Sequence, residues 1–148
     1  QPLVTALSTS SSAATLPVSM DAAQNRFRVS SEVSSVVLPL GATVNMDGTA
    51  LFEGVAAVFL AQMFGIALDP ITITTIFLVA MMASIGAPGI PSGSMAGMQL
   101  VLLAVGIPLE AIALLLMIER PLDTFRTAVN VQGDLVGSLV VNKRVTLQ

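Results

Sequence analysis

PITITTIFLVAMMASIGAPGIPSGSMAGMQLVLLAVGIPL, residues 70–109, runs for 40 residues without a charged side chain. A water-soluble domain would have to show much of such a stretch to solvent, whereas lipid accepts it. Yet it is not one simple span. A helix needs about 20 apolar residues to cross a ~30 Å hydrocarbon core. Here the apolar run 71–85 stops at GAPGIPSGS (86–94), which has three Gly and two Pro in nine residues, and resumes only at 95–105. Glycine and proline at that density cannot continue a regular helix. The segment therefore reads as two short helices joined by an irregular tip. Irregular backbone at membrane depth is tolerated only where protein or a water-filled cavity satisfies its polar groups.

The composition agrees. Of 148 residues, 54% are hydrophobic and 10% charged, against about a quarter charged in ordinary soluble domains. The net charge of −3 is small and dispersed, which argues against a nucleic-acid partner. The chain has no cysteine and no histidine. That removes disulfides, thiolate chemistry and the commonest general base and metal ligand. No nucleophile stands beside a base, so an enzyme is not expected. Trp and Tyr are also absent, so there is no interfacial aromatic belt of the usual kind. Gln1 is not an initiator Met, and the start is Ser/Thr-rich without a basic region. A signal peptide is not expected, and the chain reads as part of something longer whose missing portion precedes Gln1.

Outward from the central stretch the same pattern recurs. Residues 1–28 read as the end of a first hairpin, with a small-residue tip at 10–17 and a surface turn carrying Arg26 and Arg28. Residues 33–68 read as a helix that unwinds at Asn45-Met46-Asp47-Gly48. Residues 71–107 form the second hairpin, and 109–142 the last helix, which Pro121 should kink. Asp69-Pro70 is a helix start. Interrupted hydrophobic segments in corresponding halves point to a transport site.

Three groups of residues carry the chemistry. Glu119, Asp123, Arg126, Asn130 and Asp134 are spaced 4, 3, 4 and 4, which puts them within an arc of roughly 80° on one helix face. Ionisable groups at membrane depth are functional candidates. Asp123 and Arg126 can pair at i,i+3 and hold the guanidinium ready to grip a carboxylate. Asn45 and Asp47, two apart, face one site only if the helix unwinds, which Gly48 eases. Freed carbonyls with a carboxylate and an amide oxygen suit a small hard cation. Glu53 sits in an apolar run, where an unpaired carboxyl is a candidate proton carrier, the bland reading being a partner elsewhere in the protein.

Four ordered motifs then carry a resemblance: SSSAATLP (10–17), LPLGATVNMDGTAL (38–51), SIGAPGIP (84–91) and DTFRTAVNVQGD (123–134). Together they resemble the C-terminal half of the dicarboxylate/amino acid:cation symporters, the glutamate and aspartate transporters. The resemblance implies an all-α membrane protein. It would have two re-entrant helical hairpins and two discontinuous transmembrane helices, forming the transport domain of an elevator-type symporter. Residues 1–148 would be that C-terminal domain, with the N-terminal scaffold half absent and a homotrimer forming through that half. The family pattern implies a substrate set of Ser11, Ser12, Thr49, Ile90, Gly93, Ser94, Asp123, Arg126, Thr127 and Asn130. Within it, Arg126 would take the substrate's side-chain carboxylate and Asp123 its amino group. The pattern implies sodium ligands at Gly41, Asn45, Asn130 and Asp134, at Thr43 with the backbone of Ser84, Ile85 and Ala87, and at Asn45 with Asp47. Glu53 matches the proton-carrying glutamate of proton-cotransporting members; others have Gln there. Some relatives carry an extra Arg where this chain has Ser10 or Thr124, and Arg120, one turn earlier, would have to stand in. The second tip has Ala87-Pro88 where Thr-Ala is familiar.

The expectation is secondary active symport of an acidic amino acid or C4-dicarboxylate, in a multi-pass cell-membrane protein. Na+ and, through Glu53, H+ would be the coupling ions, lipid would surround the protein, and there would be no organic cofactor. The alternatives are a neutral amino acid symporter, against which a buried uncompensated Arg126 argues, and a non-transporting membrane fragment with a structural role.

Overall fold

A computed structural model of the chain describes residues 1–146. Every regular element among them is helical. Helix α1 (Pro2–Thr9) and α2 (Ser12–Asp21) flank a tip, and a π-helical turn (Ala22–Arg26) leads to α3 (Ser31–Val44). After a break come α4 (Asp47–Met63), α5 (Pro70–Ile85) and α6 (Ser94–Ala104). A short 3-10 turn (Leu109–Ala111) then opens α7 (Ile112–Thr146).

Local chemistry sets the starts. The Ser11 hydroxyl accepts from Ala14 N–H at 3.1 Å, the Ser30 hydroxyl from Val33 N–H at 3.3 Å, and Asp69 Oδ1 from Thr72 N–H at 2.7 Å. Each satisfies an amide that the first helical turn leaves without a partner. Hydrogen bonds from Thr72 hold the exposed Asp69 carboxyl below the usual carboxylate range. Pro70 adds a preset φ at the first position of α5.

Two apolar cores result. One joins α4, α5, α6 and the start of α7 through Leu60, Ile76, Met98, Val101, Leu102 and Leu115. The other joins α1, α3, the turn after α2 and the later part of α7 through Ala6, Val33, Leu38, Val131 and Leu135. Inside, small residues such as Ala57, Ala61, Ala80 and Ala83 let the helices approach closely. Outside, Ile71, Phe77, Met82 and Met117 are exposed, which suits lipid rather than water. The stretch Ser31–Met63, with an 18-residue window of mean hydropathy 1.3, is long and apolar enough to cross a membrane.

Three expected boundaries shift. The first tip narrows to Ser10 and Ser11, because α2 starts at Ser12 and carries Pro17 inside it. The break in the second long segment is confined to Asn45 and Met46, whose φ,ψ values (−95°, 80° and −111°, 51°) are not helical, and Asp47 already opens α4. The last helix is not discontinuous. α7 runs unbroken for 35 residues through Pro121. Leu115 in one core and Val131 and Leu135 in the other anchor it on both sides of that residue.

Candidate substrate and cation site

The two cores leave a polar layer between them. Along α7, Glu119, Asp123, Arg126, Thr127 and Asn130 lie between Leu115 and Val131, and all are buried. Charged groups are almost never buried unless paired, so each needs a partner. Arg126 Nη2 donates to Glu119 Oε1 at 2.7 Å and to Asp123 Oδ1 at 2.6 Å. Its guanidinium lies over the Phe52 ring of α4, 4.5 Å from the centroid, a favourable cation–π placement. Arg126 Nη1 is buried and makes no hydrogen bond among the described residues. The expected Asp123–Arg126 pair therefore forms, and Glu119 joins it from seven residues away.

The other carboxylate oxygens fasten the tip between α5 and α6. Ser92 N–H donates to Asp123 Oδ2 at 2.9 Å and Ser92 Oγ to Glu119 Oε2 at 3.0 Å. Ser92 has φ 60°, a left-handed conformation uncommon for a non-glycine residue. The two tips also meet directly. Gly89 O accepts from Ser11 Oγ at 2.8 Å and from Ala13 N–H at 3.1 Å. Arg120 is largely exposed and brings Nη1 to 3.8 Å from Asp123 Oδ2.

Asn130 joins α7 to the break between α3 and α4. Its Oδ1 accepts from Gly48 N–H at 2.8 Å, and its Nδ2 reaches Met46 Sδ at 3.2 Å and Thr49 Oγ1 at 3.3 Å. Asn45 Nδ2 donates to Asp134 Oδ1 at 2.9 Å. Gly41 lies directly against the Asp134 carboxylate. Asn45 and Asp47 both face Gly133, where a Cβ would stand 2.6 Å from Asn45 Nδ2 and 3.2 Å from Asp47 Oδ2. The two-residue break thus lets side chains two positions apart address one face of α7.

Of the ten residues in the expected substrate set, nine line one cavity between the tips and α7; Ser11 is the exception, its hydroxyl spent on Gly89 O. Its volume is about 10 Å³. That is room for one water, far below the ~300 Å³ at which ligand pockets begin. The Ser92 contacts to Asp123 and Glu119 and the Gly89 contact to Ser11 hold the tips closed around this small space. A larger cavity of about 430 Å³ lies between α4 and α7, but among the described residues Arg126 is its only polar side chain. It lacks the convergent polar groups that orient a ligand.

The expected cation residues divide. Gly41, Asn45, Asn130 and Asp134 converge, with Asp47 beside them. Carboxylate, amide and backbone carbonyl oxygens make a donor set that fits a small hard cation, and here Gly41 O also accepts from Asn45 N–H at 2.8 Å. Thr43 is exposed, and its hydroxyl donates to Leu40 O at 2.8 Å within its own helix. Ser84 O is taken by Ala87 N–H at 3.1 Å, and the Ile85 side chain is exposed. These four are not drawn into the Asp134 cluster. Glu53 is fully buried in α4, neither carboxylate oxygen has a hydrogen-bond partner among the described residues, and its Oε1 packs against Gly97 of α6.

Sequence reasoning placed Glu119 on the polar face of α7 but gave it no role. Its seven-residue spacing from Arg126 was the available signal. Ser92 and Phe52 carried none, because their parts depend on where the second tip and α4 pack.

Gly48 sets the approach of α4 to α7. A Cβ there would run into the carbonyl oxygen of Arg126 and sit 2.9 Å from its Cα. Both are backbone atoms and cannot swing aside. Gly48→Ala is expected to cost about 1–3 kcal/mol and to lower the thermal midpoint followed by circular dichroism in detergent; an unchanged midpoint would show that the helices part freely.

The sequence has counterparts among known proteins. The chain is 50% identical to mouse excitatory amino acid transporter 2 over 141 residues, which is 95% of this chain and 25% of that protein. It is 50% identical to mouse excitatory amino acid transporter 3 over 143 residues, 97% of this chain and 27% of that protein. An excitatory amino acid transporter of Caenorhabditis elegans is 45% identical over 141 residues, 95% of this chain and 28% of that protein. The chain thus spans about a quarter of the length of the curated relatives it matches. The model of one family, described as the sodium:dicarboxylate symporter family, matches residues 1–144. That is a family of membrane symporters rather than enzymes, and with the match covering almost the whole sequence, this chain belongs to the sodium:dicarboxylate symporter family.

Proposed function

We propose that this chain is the substrate- and cation-binding part of a symporter that carries an acidic amino acid or C4-dicarboxylate across the cell membrane, driven by Na+. The observation that carries the reading is Arg126, buried in the cavity where both tips meet, with Nη1 still able to donate. In this reading the substrate's side-chain carboxylate takes the guanidinium, its amino group takes Asp123, and Thr49, Thr127 and Asn130 complete the polar lining. Tip backbone from Ser12, Ile90, Gly93 and Ser94 closes over it. Asp134 with Asn45, Asn130 and the Gly41 backbone takes one Na+, Asp47 with Asn45 contributes to another, and Thr43 with the backbone of Ser84, Ile85 and Ala87 forms a further site once the second tip moves.

The two helix pairs, α1–α2 and α5–α6, act as re-entrant hairpins. At 1.5 Å per residue the 16-residue α5 reaches ~24 Å and the 11-residue α6 ~16 Å, each short of a ~30 Å core. Residues 1–148 then work as one transport domain that moves like an elevator, within a homotrimer assembled through other parts of the whole protein. Na+-gradient-driven uptake of labelled L-aspartate into proteoliposomes of the complete protein is the test. Equal uptake with and without the gradient would sink Na+ coupling.

A neutral amino acid is a second reading, and one contact favours it. Glu119 and Asp123 together already compensate Arg126, so the guanidinium is not an unmatched cation. Competition of labelled aspartate uptake by neutral amino acids separates the two.

Glu53 is assigned H+ carriage in the same reading. Burying an unpaired carboxylate costs several kcal/mol, so the group crosses with a proton or meets a cation. Uptake by the native protein is expected to fall as external pH rises, and Glu53→Gln to lose that dependence while still transporting. A persistent pH dependence in the variant would remove Glu53 from the role.

A further inference from the structure

Four of the six basic residues gather at one end of the molecule: Arg26, Arg28, Lys143 and Arg144. The fold brings them together from opposite ends of the sequence. Ser30 N–H donates to Asn142 Oδ1 at 2.9 Å, and Val29 packs in one core with Leu135. The turn before α3 is thereby fixed against the last turns of α7. All four basic side chains are exposed. Set among them are apolar groups that are exposed as well: Phe27, 47% exposed between Arg26 and Arg28, and Val145, 55% exposed beside Arg144. Two acids share this end. Asp21 accepts from Asn25 Nδ2 at 2.7 Å, and Glu32 lies in the first turn of α3. Four positive against two negative charges leave an excess of two.

The far end differs. The loops around residues 64–69 and 105–111 carry Asp69 and Glu110 and no basic residue. α7 links the two ends, and its 35 residues span ~50 Å, more than the ~30 Å hydrocarbon core. Both ends therefore reach headgroup depth, and the basic one carries the signature of the cytoplasmic side.

We propose that this basic end is a docking surface for anionic phospholipid headgroups of the cytoplasmic leaflet. The guanidinium groups of Arg26, Arg28 and Arg144 and the ammonium of Lys143 pair with headgroup phosphates. Phe27 sits among them at the boundary with the acyl chains, the depth that aromatic rings favour. Exposed apolar groups interleaved with basic ones fit a lipid interface better than a nucleic acid, which would leave them against water.

The test uses the chain in detergent micelles holding phosphatidylglycerol and phosphatidylcholine in equal amounts, with retained lipid counted by native mass spectrometry. The unaltered chain is expected to retain phosphatidylglycerol preferentially. Lys143→Gln/Arg144→Gln, at the exposed end of α7, is expected to reduce that preference about tenfold, and the variant with Arg26→Gln and Arg28→Gln added to abolish it. Equal retention of the two lipids by the unaltered chain, or an undiminished preference in the double variant, would overturn the proposal. Should the fourfold variant lose its helical circular dichroism, flotation of the unaltered chain with phosphatidylglycerol vesicles decides instead. Binding should weaken as salt rises from 0.1 to 1 M, which shortens the screening length from ~10 to ~3 Å; salt-independent binding would mean that the four charges do not make the contact.

Discussion

Arg126→Cys is expected to abolish binding of acidic substrates by the complete protein, with aspartate affinity falling by about 10²–10³-fold. The magnitude follows from what surrounds the guanidinium. Breaking a buried ion pair by removing one partner costs ~3–5 kcal/mol, and each 1.4 kcal/mol is about tenfold in affinity. Two carboxylates, Glu119 and Asp123, bind the same Nη2 from within 2.7 Å. Without it only the largely exposed Arg120, 3.8 Å from Asp123 Oδ2, remains to offset them, and an acidic substrate would add further negative charge. Arg126→Lys separates charge from shape. It keeps the positive charge but loses the planar fork and the stack on Phe52, so an intermediate loss is expected. Glu119→Gln tests the compensating contact in the other direction. It leaves Arg126 with one carboxylate and a freer edge, so acidic substrates should bind at least as well, and any neutral amino acid transport should weaken. Displacement of labelled aspartate reads all three. Unchanged aspartate affinity in Arg126→Cys would remove the residue from its assigned role.

The parts of this site that the sequence revealed are those set by local periodicity. The spacing of Glu119, Asp123, Arg126, Asn130 and Asp134 depends only on 3.6 residues per turn, and all five are buried on α7. The glycine- and proline-rich tip at 86–93 likewise followed from local backbone chemistry. What escaped depends on how distant elements pack. The resemblance implied a second discontinuous helix, but anchoring by Leu115 on one side and Val131 and Leu135 on the other accompanies an unbroken α7. Asn45–Gly48 reads as broken over its length, yet Asn130 accepts Gly48 N–H and reaches Thr49 Oγ1. Those contacts hold the first turn of α4, so the break shrinks to two residues. Ser92 is one serine among many in the sequence. Only the fold turns its amide to Asp123 and its hydroxyl to Glu119.

Asp134→Asn is expected to lower the apparent Na+ affinity of substrate binding by about 10- to 100-fold. The substitution changes charge and almost nothing of shape. Asp134 Oδ1 accepts from Asn45 Nδ2 at 2.9 Å, and the carboxylate lies directly against Gly41. An asparagine oxygen can keep the hydrogen bond, and the close fit to Gly41 admits nothing larger. What is lost is the buried negative charge beside Gly41 and Asn45. Contacts to a charged partner are worth ~1.5–3 kcal/mol, which gives the quoted range at 1.4 kcal/mol per tenfold. Asp47→Asn is the internal comparison. Asp47 reaches the same face of α7 but is exposed, so water screens its charge and a smaller loss is expected. Titrating Na+ against binding of labelled aspartate measures both. If the half-saturating Na+ concentration is unchanged in Asp134→Asn, the cluster around Gly41 and Asn45 is a structural clasp between α3 and α7 and not a cation site. If both variants fall equally, the charge acts through the general field of the polar layer rather than by direct contact with the ion.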